Sequence, residues 1–126
     1  MAGWLVDSHA LLWALAEPER LSDSAREVLQ NPAAPVWVSA ASLWEIAIKK
    51  QTGKLASPDD LPQIAVDAGF LLLAIQPRHA WAVQHLPLDK HRDPFDRMLV
   101  AQAKTDGLPI ISADKALDEY EIARLW

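Results

Sequence analysis

The sequence contains no cysteine among its 126 residues. Disulfide bonds are therefore excluded, and so are thiolate metal sites of the zinc-finger kind. No apolar run approaches the roughly 20 residues that a membrane-spanning helix needs. The first residues show neither a basic leader nor a signal-cleavage pattern. We expect a cytoplasmic protein with no membrane segment.

Positive charge is also scarce, with 12 Lys and Arg against 17 Asp and Glu and a formal net charge of -5. Proteins bind phosphate groups mainly through Lys and Arg, so a protein that binds nucleic acid with its entire surface is disfavoured. A nucleic-acid partner would have to meet a local basic patch. The candidates for that patch, each of which can equally be a solvated helix charge, are Lys49, Lys50, Lys54, Arg92 and Arg97.

Apolar residues are abundant, at 51% of the chain, which is enough for one substantial core. We expect a single domain over residues 1–126. Short β-rich or apolar runs predict strands within residues 4–7, 35–40, 70–76, 108–114 and 120–126. The run at 70–76 is continuously apolar, as in a strand covered on both faces. Helical segments between the runs predict a parallel α/β sheet with helices on both faces.

Two aspartates directly follow predicted strands. Asp7 comes after "WLV" and Asp114 after "IISA". Parallel sheets bind ligands at the carboxyl ends of their strands, so both residues are candidates for a site. Each also has a simpler interpretation, because Asp is among the best N-caps of helices.

The stretch "HRDPFDRMLVAQA" places Asp93 and Asp96 three positions apart at the start of a helical pattern. Asp93 is suited to the N-cap, with Pro94 at the first helical position. Asp96 then lies at the third position, where the helix dipole favours an anion. A capping box prefers Glu or Gln there, so a cap does not explain Asp96, which can point outward toward the end of the sheet.

Glu45 lies within "SLWEIAIK", a stretch otherwise suited to burial. A buried carboxylate needs a partner. Lys49, four residues later, offers an ordinary helix-surface ion pair worth about 0.2–0.5 kcal/mol. A shared metal ion is the alternative interpretation.

Four carboxylates that converge in one place repel one another and raise one another's pKa. A divalent cation removes this conflict, and an all-oxygen ligand set suits Mg²⁺ or Mn²⁺. Such a site activates water and stabilises charge during cleavage of a phosphoester. Composition alone leaves a nuclease and a phosphatase equally open.

Several longer stretches carry a resemblance to a known family: "LVDSHALLWAL", "SAASLWEIAIKKQTGKL", "HRDPFDRMLVAQAKTDGLPIISADKALDEY" and the terminal Trp. Together they resemble the PIN-domain family, specifically the VapC-type toxins of type II toxin–antitoxin modules. The resemblance implies a three-layer α/β/α fold with a central parallel sheet and a Mg²⁺- or Mn²⁺-dependent endoribonuclease. It further implies an RNA substrate, a homodimer and a cognate antitoxin whose tail enters the active-site groove.

By matching position, the resemblance implies that the catalytic and metal-binding acids are Asp7, Glu45, Asp96 and Asp114. Asp93 belongs to the "RDPFD" variant of one branch, and its share in metal binding stays open; we expect it to cap the helix while Asp96 holds the metal. Five further residues near the acids are candidates for contacts with substrate, namely Ser8, His9, Lys49, Arg92 and Ser112. Serines in such positions also commonly act as caps.

Tryptophans at apolar helical positions, Trp13, Trp44 and Trp81, are expected in the core or at a dimer contact.

Two other functions are alternatives to the nuclease. A receiver-like phosphoacceptor module also has acids at strand ends, although receivers carry adjacent acids after the first strand and a lysine after the last. In a non-catalytic binding domain, the acids would be helix caps alone.

Overall fold

The computed structural model describes residues 2–89 and 93–126. In these ranges the strands are β1 (Trp4–Val6), β2 (Val36–Ser39), β3 (Leu71–Leu73), β4 (Ile110–Ile111) and β5 (Arg124–Leu125). The α-helices are α1 (Ser8–Ala16), α2 (Asp23–Leu29), α3 (Ala40–Gln51), α4 (Leu61–Asp67), α5 (Pro77–Ala82) and α6 (Pro94–Asp106). Short 3₁₀ helices cover Pro18–Arg20, Val83–His85 and Lys115–Tyr120.

The strands form one parallel sheet in the order β3-β2-β1-β4-β5. The central strand β1 pairs on both sides, with Leu5 opposite Trp37 of β2 and opposite Ile110 of β4. All the strands point the same way, so their carboxyl ends lie along one edge of the sheet. The predicted parallel α/β architecture is confirmed.

Apolar side chains pack on both faces of the sheet in two clusters. Leu5 and Ile110 belong to one cluster, whereas their neighbours Val6 and Ile111 belong to the other. This division follows from the pleat, because successive strand residues point to opposite faces. Helices α1, α2 and α4 cover the face of Val6 and Ile111, which is the first apolar cluster, and α6 covers the face of Leu5 and Ile110, which is the second. The fold is the predicted three-layer α/β/α sandwich.

One expectation about the sheet is wrong. The apolar run at 70–76 does not form a strand covered on both faces, because β3 lies at the edge of the sheet. Leu71 and Leu72 remain 41% and 44% exposed, and Leu73 is the buried member of the strand. The composition of the run resembles that of a central strand, but strand order is set by long-range pairing that no local pattern encodes.

The helices begin and end at local signals in the sequence. The Ser22 side chain accepts a hydrogen bond from the amide of Ala25 (3.1 Å) at the start of α2. Helix α6 ends at Gly107, whose φ of 67° is the left-handed conformation that glycine adopts without strain. In residues 2–89 and 93–126, no helix combines the length and apolar character that crossing a membrane requires.

Candidate active site

A recess of about 150 Å³ opens at the carboxyl edge of the sheet. It is lined by five carboxylates from different parts of the chain, Asp7, Glu45, Asp93, Asp96 and Asp114. The structure thus brings the sequence-predicted acids together. Two larger recesses of about 470 Å³ each have mainly apolar walls. We identify the smaller recess as the candidate site because the five carboxylates line it.

Asp7 follows β1 and caps α1. Its Oδ1 accepts a hydrogen bond from the amide of Ala10 (2.9 Å), and its Oδ2 accepts one from the Ser112 hydroxyl. Burial raises the pKa of the Asp7 carboxyl, and the negative charge of Asp114 adds to this effect. The two hydrogen bonds and His9 oppose the rise without cancelling it. The capping interpretation is therefore correct, but it engages only one carboxylate oxygen.

Glu45 lies on α3 with its side chain only 12% exposed. The Ser8 hydroxyl donates to Oε1 (2.6 Å), and the Lys49 ammonium contacts Oε2 (3.0 Å). The local ion pair considered from the sequence is present. The contact with Ser8, 37 residues away, additionally holds the carboxylate toward the recess.

The two acids at the start of α6 have different surroundings. Asp93 is the N-cap, and its Oδ1 accepts hydrogen bonds from the amides of Phe95 (2.9 Å) and Asp96 (3.0 Å). Asp96 lies in the first turn and lines the recess. The cap assignment of Asp93 is confirmed, and metal binding by Asp96 stays a prediction.

Ser112 links the acids of two adjacent strands. It is fully buried, donates to Asp7, and accepts a hydrogen bond from the amide of Asp114 (3.0 Å). Asp114 is exposed, and its Oδ1 accepts from the amide of Ala116 (3.0 Å) as the cap of a 3₁₀ helix. The buried position does not fit the expected substrate contact for Ser112. Its hydroxyl instead orients Asp7 and the Asp114 loop.

The remaining substrate-contact candidates lie around the recess where the structure describes them. Ser8 and Lys49 line it, and both are engaged with Glu45. His9 is exposed at the rim and lies against Trp13, with ring centroids 5.9 Å apart. Arg92 lies outside the described residues, so its predicted role is untested.

Two residues of the expected basic patch have structural partners. Lys50 forms an ion pair with Asp59, and Arg97 donates to the carbonyl of Pro87 (2.8 Å). Lys54 is exposed. Of the basic candidates that the structure describes, Lys49 is the one that lines the acidic recess.

Sequence reasoning missed three residues that line the recess, Ser42, Phe95 and Leu99. Ser42 precedes Glu45 by three positions on α3, so helical spacing places both on one face. Phe95 packs edge-on against Trp44, with ring centroids 5.0 Å apart. The position of Ser42 could be predicted from helical spacing. The position of Phe95 depends on how α3 and α6 pack together.

The chemistry of these side chains fits a hard divalent cation. The acids offer oxygen ligands only, as Mg²⁺ and Mn²⁺ prefer. Across residues 2–89 and 93–126, no group of three or more carboxylate, imidazole or thiol side chains stands arranged to hold an ion by itself. Mg²⁺ does not require such a cage, because it commonly binds one or two carboxylates and completes its shell with water and substrate phosphate. The acids that would hold it are Asp7, Glu45, Asp96 and Asp114.

Comparison with known proteins identifies the family of this chain. The model of the PIN domain matches residues 4–123. Ribonuclease VapC22 of Mycobacterium tuberculosis is 32% identical over 124 residues, covering 95% of this chain and 93% of the relative.

Solved structures share the fold at low sequence identity. DNA-bound VapBC from Salmonella typhimurium aligns with a TM-score of 0.74 at 13% identity, covering 100% of this chain and 98% of that one. VapBC2 from Rickettsia felis, bound to a DNA fragment from the promoter, aligns with a TM-score of 0.70 at 8% identity, covering 97% and 96%. The family match over nearly the whole chain and the identity to a VapC protein establish that this chain belongs to the PIN-domain family, in its VapC-type group.

Proposed function

We propose that the protein is a divalent-metal-dependent endoribonuclease and the toxin of a type II toxin–antitoxin module, acting as one PIN-like domain over residues 1–126. One observation carries the proposal: acids from four separate elements line a single recess, in a chain that is 32% identical to a protein named a ribonuclease. A phosphoacceptor module is less well supported, because Asp7 is not followed by a second acid.

The chain's own residues prepare the site for a cation and a phosphodiester. Ser112 and the amide of Ala10 orient Asp7, and Ser8 and Lys49 orient Glu45. When Mg²⁺ or Mn²⁺ is bound, it supplies activation of water and stabilisation of the charge on the leaving oxygen. A cation next to Asp7 would also favour its ionised form, against the rise in pKa caused by burial.

RNA would meet this recess from the side where His9 and Lys49 line it. The Lys49 ammonium, although paired with Glu45, contributes positive charge at a rim that is otherwise acidic. His9 is exposed and can donate a hydrogen bond to a phosphate oxygen. Ser8 and Arg92 complete the proposed substrate contacts; Ser8 does so indirectly, by holding Glu45.

Two protein partners are part of the proposal. The structurally similar proteins include a toxin–antitoxin complex from Klebsiella pneumoniae, which supports a cognate antitoxin for this chain. We propose that both proteins act in the cytoplasm. A second copy is proposed to cover the apolar recess that borders the acids. Phe95 lines both recesses, and Trp44 in the apolar one is 60% exposed.

The test is cleavage of RNA by purified protein. EDTA should abolish cleavage, and Mg²⁺ or Mn²⁺ should restore it. Asp7→Asn should lower the rate at least about 100-fold, because it removes a charged ligand at the reacting centre. Asp67→Asn is the matched control, since Asp67 is exposed on α4 and contacts Gln63 rather than the recess.

Two results would contradict the proposal. Cleavage that persists in EDTA would indicate a contaminating nuclease or a different chemistry. Equal binding of Mn²⁺ by the wild type and by Asp7→Asn would indicate that the acids serve as helix caps in a non-catalytic domain.

A further inference from the structure

A buried polar network crosses the core beneath the acidic recess. Its central residues, Ser39, His79 and Gln102, are each 0% exposed, and none of them lines the recess. Helix α6, which carries Gln102, also contributes Leu99 and Val100 to the second apolar cluster. Burial of polar groups is unfavourable unless they are paired, so a network in such surroundings calls for a structural reason.

The network connects three elements through consecutive hydrogen bonds. Ser39, the last residue of β2, donates to Oε1 of Gln102 on α6 (2.5 Å) and accepts from the amide of Ala41 (3.0 Å). The Gln102 amide nitrogen reaches the carbonyl of Ala74 (3.4 Å) and Nδ1 of His79 (3.5 Å). Ser39 therefore caps α3 and ties that cap to α6.

The far end of the network is anchored by charge. His79 Nδ1 accepts from the amide of Gln76 (2.9 Å), so the ring proton lies on Nε2, which faces Asp106 Oδ2 (2.8 Å). Arg78 also donates to Asp106. Within the described residues, every buried side-chain nitrogen and oxygen has a partner. A fully satisfied network of this kind favours one arrangement of the elements that it joins.

The joined helices are the two that carry opposing acids of the recess. Ser39 precedes Glu45 by six residues, and Gln102 follows Asp96 by six residues on α6. Six residues span about 9 Å along a helix, so a shift at the Ser39–Gln102 bond is transmitted to both carboxylates through rigid backbone. A further contact between α3 and α6, Trp44 against Phe95, is apolar and less directional.

We propose that Gln102 is a positioning residue, which sets the axial register of α3 against α6 through Ser39 and thereby the separation of Glu45 from Asp96. The inference rests on the proposed function, because it concerns the placement of the proposed metal-binding acids. A misplacement of about 1 Å in such a site can lower the rate by about 100-fold.

The kinetic test uses Gln102→Met, Ser39→Ala and the double variant. Each single variant should lower kcat about 10- to 100-fold and leave KM within about 3-fold. The double variant should lose no more activity than the singles, because the two residues act as one unit. The unfolding free energy of the double variant should also fall by less than the sum of the decreases in the two single variants. The reason is that removing both partners leaves no unsatisfied hydroxyl.

Leu21→Ala is the control for general destabilisation. Leu21 is 5% exposed in the first apolar cluster and does not line the recess. Its kcat should stay within about 2-fold of the wild type at a temperature where all variants are folded. A kcat loss in Gln102→Met no larger than that in Leu21→Ala would overturn the proposal, and so would single losses that multiply in the double variant.

A distance measurement separates this proposal from the proposed function. The chain has no cysteine, so Gln51→Cys on α3 and Thr105→Cys on α6 can carry spin labels in protein diluted with unlabelled chain. Gln102→Met should shift or broaden the label distance distribution, and Leu21→Ala should not. An unchanged distribution would overturn the positioning role. If the wild type showed no metal-dependent cleavage, the proposed function would be overturned instead. The label distances would still report whether Gln102 positions α3 against α6.

Discussion

At the scale of single residues, the position of Asp7 has two opposing effects on stability. It caps α1 through one oxygen, yet burial raises the pKa of its carboxyl. The folded state therefore binds the proton more tightly than the unfolded state does. The unfolding free energy then decreases as pH rises from the ordinary pKa of 3.8 to the raised value, and stays lower above it. Burial of the Asp7 carboxyl therefore lowers the stability of the folded protein above this pH range.

Asp7→Asn should accordingly stabilise the protein at pH 7 while abolishing cleavage. Asn is as good an N-cap as Asp and carries no charge to bury, so the melting temperature should rise by a few degrees. The gain should vanish below the ordinary pKa, where Asp7 is protonated in both states. Calorimetry across pH measures this, with Asp67→Asn as the control. A variant less stable than the wild type at pH 7 would contradict the prediction.

At the scale of elements, the first turn of α6 places two acids in different surroundings. Asp93 satisfies two amides at the helix start, and Asp96 lines the recess. Pro94 between them occupies the first helical position, where its missing amide is not needed. Gly107 closes the helix in the left-handed conformation. The helix thus holds Asp96 at its amino-terminal end, facing the edge of the sheet.

Substitutions at the start of α6 should show this division. Asp93→Ala should lower the unfolding free energy by about 1 kcal/mol, whereas Asp93→Asn should leave it nearly unchanged. Asp96→Asn should abolish cleavage. Denaturant unfolding and RNA cleavage measure the two effects. Equal losses of activity in Asp93→Asn and Asp96→Asn would show that both acids share the metal.

At the scale of the whole molecule, the apolar surface beside the acids supports the proposed homodimer. Trp44 and Trp81 are 60% and 75% exposed, so the core half of the expectation for these tryptophans is wrong. The recess around Trp44 also includes Ile75 and Phe95 and has a volume of about 470 Å³. Contiguous apolar surface of this kind commonly marks an interface.

Trp44→Ser should therefore shift the proposed homodimer toward monomer, with at least about a tenfold weaker dimer, because a central aromatic often dominates an interface. Sedimentation at several concentrations measures the equilibrium. Val66→Ser is the matched control, since Val66 is an exposed apolar residue that lies outside this recess. A wild type that sediments as a monomer at all concentrations would contradict the dimer.

Local features of this protein follow from the sequence alone. The caps Asp7 and Asp93 were predictable because each depends on residues within a few positions. The alternation of apolar runs with helical segments was enough to predict the parallel sheet, and strand ends were enough to nominate Asp7 and Asp114.

Which residues meet depends on the tertiary fold. Strand β3 lies at the edge of the sheet, and the Ser112–Asp7, Ser8–Glu45 and Ser39–Gln102 hydrogen bonds join positions that are 105, 37 and 63 residues apart. Periodicity reports whether a side chain faces the core, but the partner opposite it is set by strand order and helix packing. The geometry of the site is therefore a property of the fold, although its chemical composition is visible in the sequence.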